Sequence, residues 1–260
     1  ILSYSKTFWE DHQLDLMAGF ESGYGKSEWM QAERLDLLNE DEEMWYFNAS
    51  KNDTAATQIP KGAASESSGY SYFGRISYNY KGMILAQGNL RKDYSSRFGP
   101  RNRSGVFPSF SVGFKFSELD FVKNELPFIS FAKIRYGWGK VGNNAVPEYA
   151  YFSTIALLPI MQYPFAGETA YLGAGKDILA NSSIMWEGVV TSNLGLDLRF
   201  LNNRLAISAD YFSRQNEGML LELPPPMMAG WYYEDLYWEN NGNLVNPIAN
   251  VGKLSNSGVE

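Results

Sequence analysis

Charge in this chain keeps to one side. Segment after segment alternates apolar and polar residues with a period of two, and the charges set against the apolar residues of a segment share one parity. Residues 13–21 set Leu14, Leu16, Ala18 and Phe20 against Gln13, Asp15 and Glu21. Residues 73–93 set Ile76, Tyr78, Tyr80, Ile84, Ala86 and Leu90 against Arg75, Asn79, Gln87, Arg91 and Asp93. The same holds for Phe110, Val112, Phe114 and Phe116 against Ser109, Ser111 and Lys115, for Ile134, Tyr136 and Trp138 against Lys133 and Arg135, and for Leu194, Leu196, Leu198 and Phe200 against Asn193, Asp197 and Arg199. Leu205, Ile207, Ala209 and Tyr211 oppose Arg204, Ser208 and Asp210. Successive side chains of a strand point to opposite faces, so this pattern predicts antiparallel strands with one apolar and one polar face.

The predicted connections alternate in length. Short ones fall near Trp9, at Lys81-Gly82 and at Asn202-Asn203, and a middling one covers residues 117–127. Gly and Asn tolerate the positive φ of tight hairpin turns. Long connections span residues 22–69, 94–105, 140–185 and 215–250. In an up-and-down meander this places short turns at one end and long loops at the other. The first long connection carries a helix-like stretch, KSEWMQAERLDLLNEDEEMWYF, with Met30, Leu35 and Leu38 as a short apolar stripe, so a packing helix is expected there.

Two environments suit the apolar face: a second sheet, as in a soluble sandwich, or lipid, as in an outer-membrane barrel. The strands run to about ten residues, which a tilted strand needs to cross hydrocarbon. Aromatic residues gather toward strand ends (Tyr70, Tyr72, Tyr78, Tyr80, Tyr136, Trp138, Phe200, Tyr211), as interfacial girdles require. Lys or Arg on a lipid face at mid-bilayer costs about 2–4 kcal/mol, which selects for one-sided charge. A mean hydropathy of -0.30 says little here, because alternation averages out. The expected fold is therefore all-β, an antiparallel up-and-down transmembrane β-barrel wall with long extracellular loops.

The composition excludes several functions. The formal charge of -7 opposes a nucleic-acid partner, and with no cysteine there are no disulfides or thiolate metal sites. No catalytic motif is present, so the chain is not expected to be an enzyme, and no cofactor or metal is expected. His12, the single histidine, falls in a short turn and reads as a solvated residue rather than a proton shuttle. The acidic run NEDEE at residues 39–43 lacks the spaced oxygens and turn glycine of a calcium loop and reads as solvated.

Binding candidates lie in the long loops. Trp231, Tyr232, Tyr233, Tyr237 and Trp238, with Asn240, Asn241 and Asn243, suit either stacking and hydrogen bonding to a substrate or lid protein, or packing of the loop on itself. Arg97, Arg101 and Arg103 are candidates to tie an inward-folded loop to lumen carboxylates, with Asn143 and Asn144 as a second anchor or simple turn chemistry.

Six segments in order carry a family resemblance: YFGRISYNYKG, NLRKDYSSRFGP, GVFPSFSVGF, KIRYGWGKVGNN, SNLGLDLRFLNNRLAISADYF and NVGKLSNSGVE. Together they resemble the SusC/RagA family of TonB-dependent outer-membrane transporters. Tyr94, Lys92 and the Phe of SVGFKF depart from that pattern conservatively. The resemblance implies a section of a barrel of about 22 strands, integral to the outer membrane of a Gram-negative bacterium. It also implies a plug domain that engages TonB, a SusD-like surface lipoprotein as lid, and import of oligosaccharides or peptides. Because the chain opens and closes within strand-like alternation, residues 1–260 are expected to be one part of the barrel domain, without the plug and the closing strands. Two other readings stay open on the residues alone: a complete small barrel acting as porin or adhesin, and a soluble carbohydrate-binding β-domain.

Overall fold

A computed structural model describes residues 1–35, 37, 41–46, 58–164, 170–178, 180–223 and 248–260. Its strands are β1 (Leu2–Phe8), β2 (His12–Arg34), β3 (Gln58–Tyr80), β4 (Ile84–Ser95), β5 (Ser104–Phe114), β6 (Ile129–Asn143), β7 (Thr154–Pro164), β8 (Ala170–Ile178), β9 (Glu187–Phe200), β10 (Leu205–Glu222) and β11 (Ile248–Val259). Nine of them form one sheet in the order β1-β2-β3-β4-β5-β6-β9-β10-β11, and β7 and β8 pair separately within the connection from β6 to β9. Every registered pairing is antiparallel. The turns β1–β2, β3–β4, β5–β6 and β9–β10 therefore share one end of the sheet, and the longer connections share the other. The short turns use left-handed backbone at Trp9 and Glu10, at Lys81 and Gly82, and at Leu201, Asn202 and Asn203. The β5–β6 connection folds into a 3-10 turn and a short helix, α1 (Asp120–Glu125).

The chain divides into two compact units, Ile1–Gly23 with Gly69–Glu260, and Tyr24–Ser68. The second corrects the helix expectation. Residues 26–34 are extended within β2, and the only helical turn there among the described residues is a 3-10 turn at Glu42–Met44, where Asp41 accepts from the Glu43 N–H at 3.3 Å. Pairing with β3 outweighs the helix propensity of this stretch. Met30 is 88% exposed instead of forming an apolar stripe, and Leu38 lies outside the described residues.

Among the described residues no second layer covers the apolar face, on which Ala132, near the turn end, is the one buried apolar side chain. Ile76 is 52% exposed, Phe110 44% and Leu196 37%, and Phe114 is half-buried. Among the described residues the buried apolar side chains are Phe98, Phe107, Val122, Ala132, Val146 and Ile184 alone. That is too little to hold a water-soluble domain of this length together, and a continuous exposed apolar sheet face marks a surface that something else covers.

Register shows how this face is inclined. The hydrogen-bonded row from Tyr80, the last ring of β3 at the short-turn end, runs through Ile84, Phe114, Ile134 and Leu196. The matching terminal ring of β9 is Phe200, four residues beyond Leu196. The apolar band thus slips four residues over four strand-to-strand steps, one residue per strand. With about 3.3 Å per residue and about 4.8 Å between strands, this slip corresponds to a tilt of about 35°, at the lower edge of the range for outer-membrane barrels. Counted in such residue steps above the turn-end rings, Tyr72 stands at eight and Trp138 and Tyr211 at seven. Each step rises about 2.7 Å, so the two aromatic belts are about 20 Å apart, close to the roughly 25 Å of an apolar barrel band. Tyr136 breaks the girdle expectation by standing at five, between the belts. Its hydroxyl is satisfied there by the Ser192 hydroxyl, which donates to it at 3.1 Å.

Candidate functional site

The opposite, inward face carries the polar chemistry as rungs across strands. Arg75 Nε donates to Asn89 Oδ1 at 3.0 Å, and Asn89 Nδ2 donates on to Ser109 Oγ at 3.2 Å. Arg91 binds Asp93 at 2.6 Å, Glu21 at 3.1 Å and Ser71 Oγ at 2.8 Å, with its guanidinium 5.5 Å from the centre of the Phe73 ring. Arg135 bridges two strands, donating to Asp197 at 3.0 Å and to Asp210 at 2.7 Å, while the Ser208 hydroxyl donates to Asp197. These charges lie on inward parity because only that face can solvate or pair them. A recess of about 440 Å³ opens on this wall among Ser77, Gln87, Ser111, Lys133, Arg135 and Asn193. Hydroxyls, amides and paired ions of this kind suit hydrogen bonding to water, sugar hydroxyls or peptide groups.

Inward aromatic rings sit over cross-strand glycines. A Cβ on Gly19 would run into the Phe73 ring; at the long-loop end, beyond the last β5–β6 pair, one on Gly142 would run into the Phe107 ring although Gly142 has outward parity on β6. Phe212 covers Gly258 in the same way. The sequence carried this signal in the aromatics of polar parity, Phe73, Phe107 and Phe212, whose partners only the register supplies.

At the long-loop end, three connections share a small core. Phe98 and Ile184 are fully buried and Val146 nearly so, with Trp186 packed at 5.0 Å from the Phe98 ring and 5.3 Å from Phe107. Around them, Asn102 Nδ2 donates to the carbonyls of Ser183 and Ile184 at 3.2 and 3.1 Å. Alternation gives no hint of this core, because its residues come from loops.

The loop candidates divide. Arg97 pairs with Glu148 at 2.7 Å, a carboxylate of another loop rather than of the strand wall. Arg103 Nε donates to the Phe98 carbonyl at 3.4 Å, which braces its own loop. Arg101 is exposed and has no ion pair among the described residues. Asn144 Nδ2 donates to Ser95 Oγ at 3.4 Å, tying the loop after β6 to the end of β4. Asn143 donates to Glu187 at 3.1 Å, and its Oδ1 accepts from the Ala145 N–H at 2.9 Å. Trp231, Tyr232, Tyr233, Tyr237, Trp238, Asn240, Asn241 and Asn243 lie outside the described residues. His12 departs from the solvated-turn reading: it begins β2, half-buried, with Nδ1 2.7 Å from the Tyr78 hydroxyl and its ring 4.6 Å from Tyr80. Three groups at the short-turn end titrate away from their ordinary values, among them Lys123, raised by its hydrogen bond to Glu118. Hydrogen bonding to Asp11 raises Lys81, and hydrogen bonding from Lys123 lowers Glu118.

A tilted antiparallel sheet with an uncovered apolar face, aromatic belts and a polar inner wall is a section of a transmembrane β-barrel. The chain belongs to the TonB-dependent receptor β-barrel family, whose family model, described as "TonB dependent receptor-like, beta-barrel", matches residues 3–260. It is 33% identical over 192 residues to the TonB-dependent receptor SusC of Bacteroides thetaiotaomicron, an alignment covering 73% of this chain and 18% of that protein. It is 29% identical over 261 residues to the TonB-dependent receptor P39 of Formosa agariphila, covering 99% of this chain and 22% of that one. The chain thus spans about a fifth of the length of these relatives. Among solved structures it matches the RagAB peptide importer in the "closed-closed" state with a TM-score of 0.77 at 22% identity, over 99% of this chain and 26% of that one. The shared feature at that distance is the fold.

Proposed function

We infer that this chain is part of the wall of an outer-membrane importer of SusC/RagA type, working in a Gram-negative outer membrane and energised through TonB by a plug domain. Its cargo is an oligosaccharide or peptide, received beneath a SusD-like surface lipoprotein. The observation that carries the reading is the inclined apolar band: one residue of slip per strand between two aromatic belts is what a lipid-embedded tilted wall requires. Polar rungs such as Arg75-Asn89-Ser109 and the loop core around Phe98 support a hydrated lumen beneath braced loops.

The other readings fit less well. In the described sheet β1 and β11 are unpaired edges, so these strands do not close on themselves as a small porin or adhesin. A soluble carbohydrate-binding domain would need a second sheet over Ile76, Phe110 and Leu196, which stand exposed.

The test is purification of the full-length protein from separated outer membranes in mild detergent, with mass spectrometry of whatever accompanies it. A co-purifying surface lipoprotein and a bound oligosaccharide or peptide are expected, and uptake of that cargo by cells should stop when TonB is deleted. Fractionation with soluble proteins would overturn the membrane reading. Uptake indifferent to TonB would overturn the energised-importer reading.

A further inference from the structure

From β3 to β10 the outward face carries no charge between the belts, and two lysines interrupt its upper edge. Lys92 of β4 and Lys140 of β6 have outward parity and are both exposed. In the steps used above, each stands nine above the turn-end rings, one beyond Tyr72 and two beyond Trp138. They sit two strands apart on either side of β5, where Val106, the register partner of Lys92, is a small 48% exposed residue between them. Their Cα atoms are about 12 Å apart by strand spacing and rise.

Both side chains lean toward the long-loop end. Lys92 Nζ lies 5.1 Å from the centre of the Tyr94 ring, two residues further along β4, and Tyr94 stacks on Tyr70 at 4.4 Å. Lys140 Cε lies over Gly188, where a Cβ would approach it to 3.2 Å, so the missing side chain leaves room for the lysine stem. Long basic side chains at the edge of hydrocarbon behave in this way, burying the stem and lifting the ammonium. Neither lysine has an ion-pair partner among the described residues. The acid nearest Lys140 on the outward face, Glu217, is engaged by Lys253 at 3.4 Å, and the neighbouring Asp93 and Glu21 are held by Arg91 on the inward face.

We propose that Lys92 and Lys140 bracket Val106 to form a site for a phosphorylated lipid headgroup of the outer leaflet, the two ammonium groups taking its phosphates while the acyl chains run down the apolar face past Phe110 and Ile134. This rests on the membrane reading above. Charge complementarity decides the occupant. At this height the surroundings are headgroups, the site offers two cations without a carboxylate partner, Lys92 being bound to the Tyr94 hydroxyl alone, and no free acid, and rings on both flanks supply the amphipathic floor that lipid interfaces favour.

Full-length protein in neutral detergent, examined by native mass spectrometry, tests the site. It is offered a bis-phosphorylated glycolipid, the same glycolipid after dephosphorylation, and inorganic phosphate. The expected result is retention of the phosphorylated lipid over its dephosphorylated form by roughly tenfold, with that preference lost in the double variant K92Q/K140Q and weakened in each single variant. About tenfold corresponds to one decade in affinity. Heat-modifiable electrophoretic mobility checks that each variant is a folded barrel. Equal retention of the two lipids, or an undiminished preference in the folded double variant, would overturn the proposal while leaving the barrel reading intact. Displacement of the lipid by inorganic phosphate at equal concentration would overturn it in favour of a free-anion site. A protein recovered without detergent would overturn both readings together.

Discussion

Arginine placed at Ile76 and arginine placed at Ser213 are expected to have very different costs, although the two positions share one hydrogen-bonded row. That row runs Ile76, Gly88, Phe110, Trp138, Ser192, Ser213. On an upright sheet they would sit at one depth. With one residue of slip per strand, Ile76 stands four steps above the turn-end rings, midway between the belts, and Ser213 stands nine, beyond the upper belt. Outward arginine at the bilayer midplane costs about 2–4 kcal/mol and near the interface about 0–1. Ile76→Arg should therefore lower the folded-to-unfolded ratio by roughly thirty- to seven-hundred-fold and Ser213→Arg by less than about fivefold. Leu196→Arg, on a different row but also at four steps, should match Ile76→Arg. The assay is reversible guanidinium unfolding of the full-length barrel in lipid vesicles, with the yield of heat-modifiable protein from cells as a second readout. Equal costs at Ile76 and Ser213 would refute the tilt, and negligible cost at both Ile76 and Leu196 would refute burial in lipid.

Three further outcomes follow from the inner wall and the loops. Gly142→Ala drives a methyl into the Phe107 ring and should cost about 1–3 kcal/mol in the same unfolding assay, with Phe107→Leu recovering most of it. Phe98→Ala empties the centre of the loop core, a truncation that costs about 3–5 kcal/mol in a packed site; amides of residues 96–103 should exchange roughly a hundredfold faster, while the exposed Arg101→Ala leaves them unchanged. The Glu118–Lys123 pair, 2.9 Å apart, braces the approach to α1. Its hydrogen bond lowers Glu118 and raises Lys123, so the contribution through Glu118 is present above the ordinary glutamate pKa and lost as pH falls through the lowered value. The contribution through Lys123 is present below the ordinary lysine pKa and lost as pH rises through the raised one. A spin label at Asn124 should be least mobile near neutrality, and Glu118→Gln should flatten that profile.

What the sequence revealed followed from the period of two. The facing of Ile76, Phe114 and Leu196, the pairing of polar positions opposite them and the alternation of short and long connections are all one-dimensional patterns. Depth in the membrane is not, because it depends on register accumulated over several strands, and so alternation alone does not separate Tyr136, which sits between the belts, from the girdle rings. The helix expectation at residues 26–34 failed because local propensity cannot see a partner strand beginning at Gln58. The site was less legible than the fold. Phe98, Val146 and Ile184 are isolated apolar residues in polar loops, and nothing in their spacing announces that they meet. Arg97 reads as a cation seeking a carboxylate, but that Glu148 supplies it is a fact of loop packing.

The slip between strands also guards assembly. Sliding a strand by one residue would turn its greasy side chains inward, an error that alternation forbids. Sliding it by two would restore every facing, so alternation alone would let it pass. Such an error would instead carry that strand's rings about 5 Å out of line with their neighbours. The aromatic belts thus act as a vernier, checking the one misalignment that the facing pattern cannot detect.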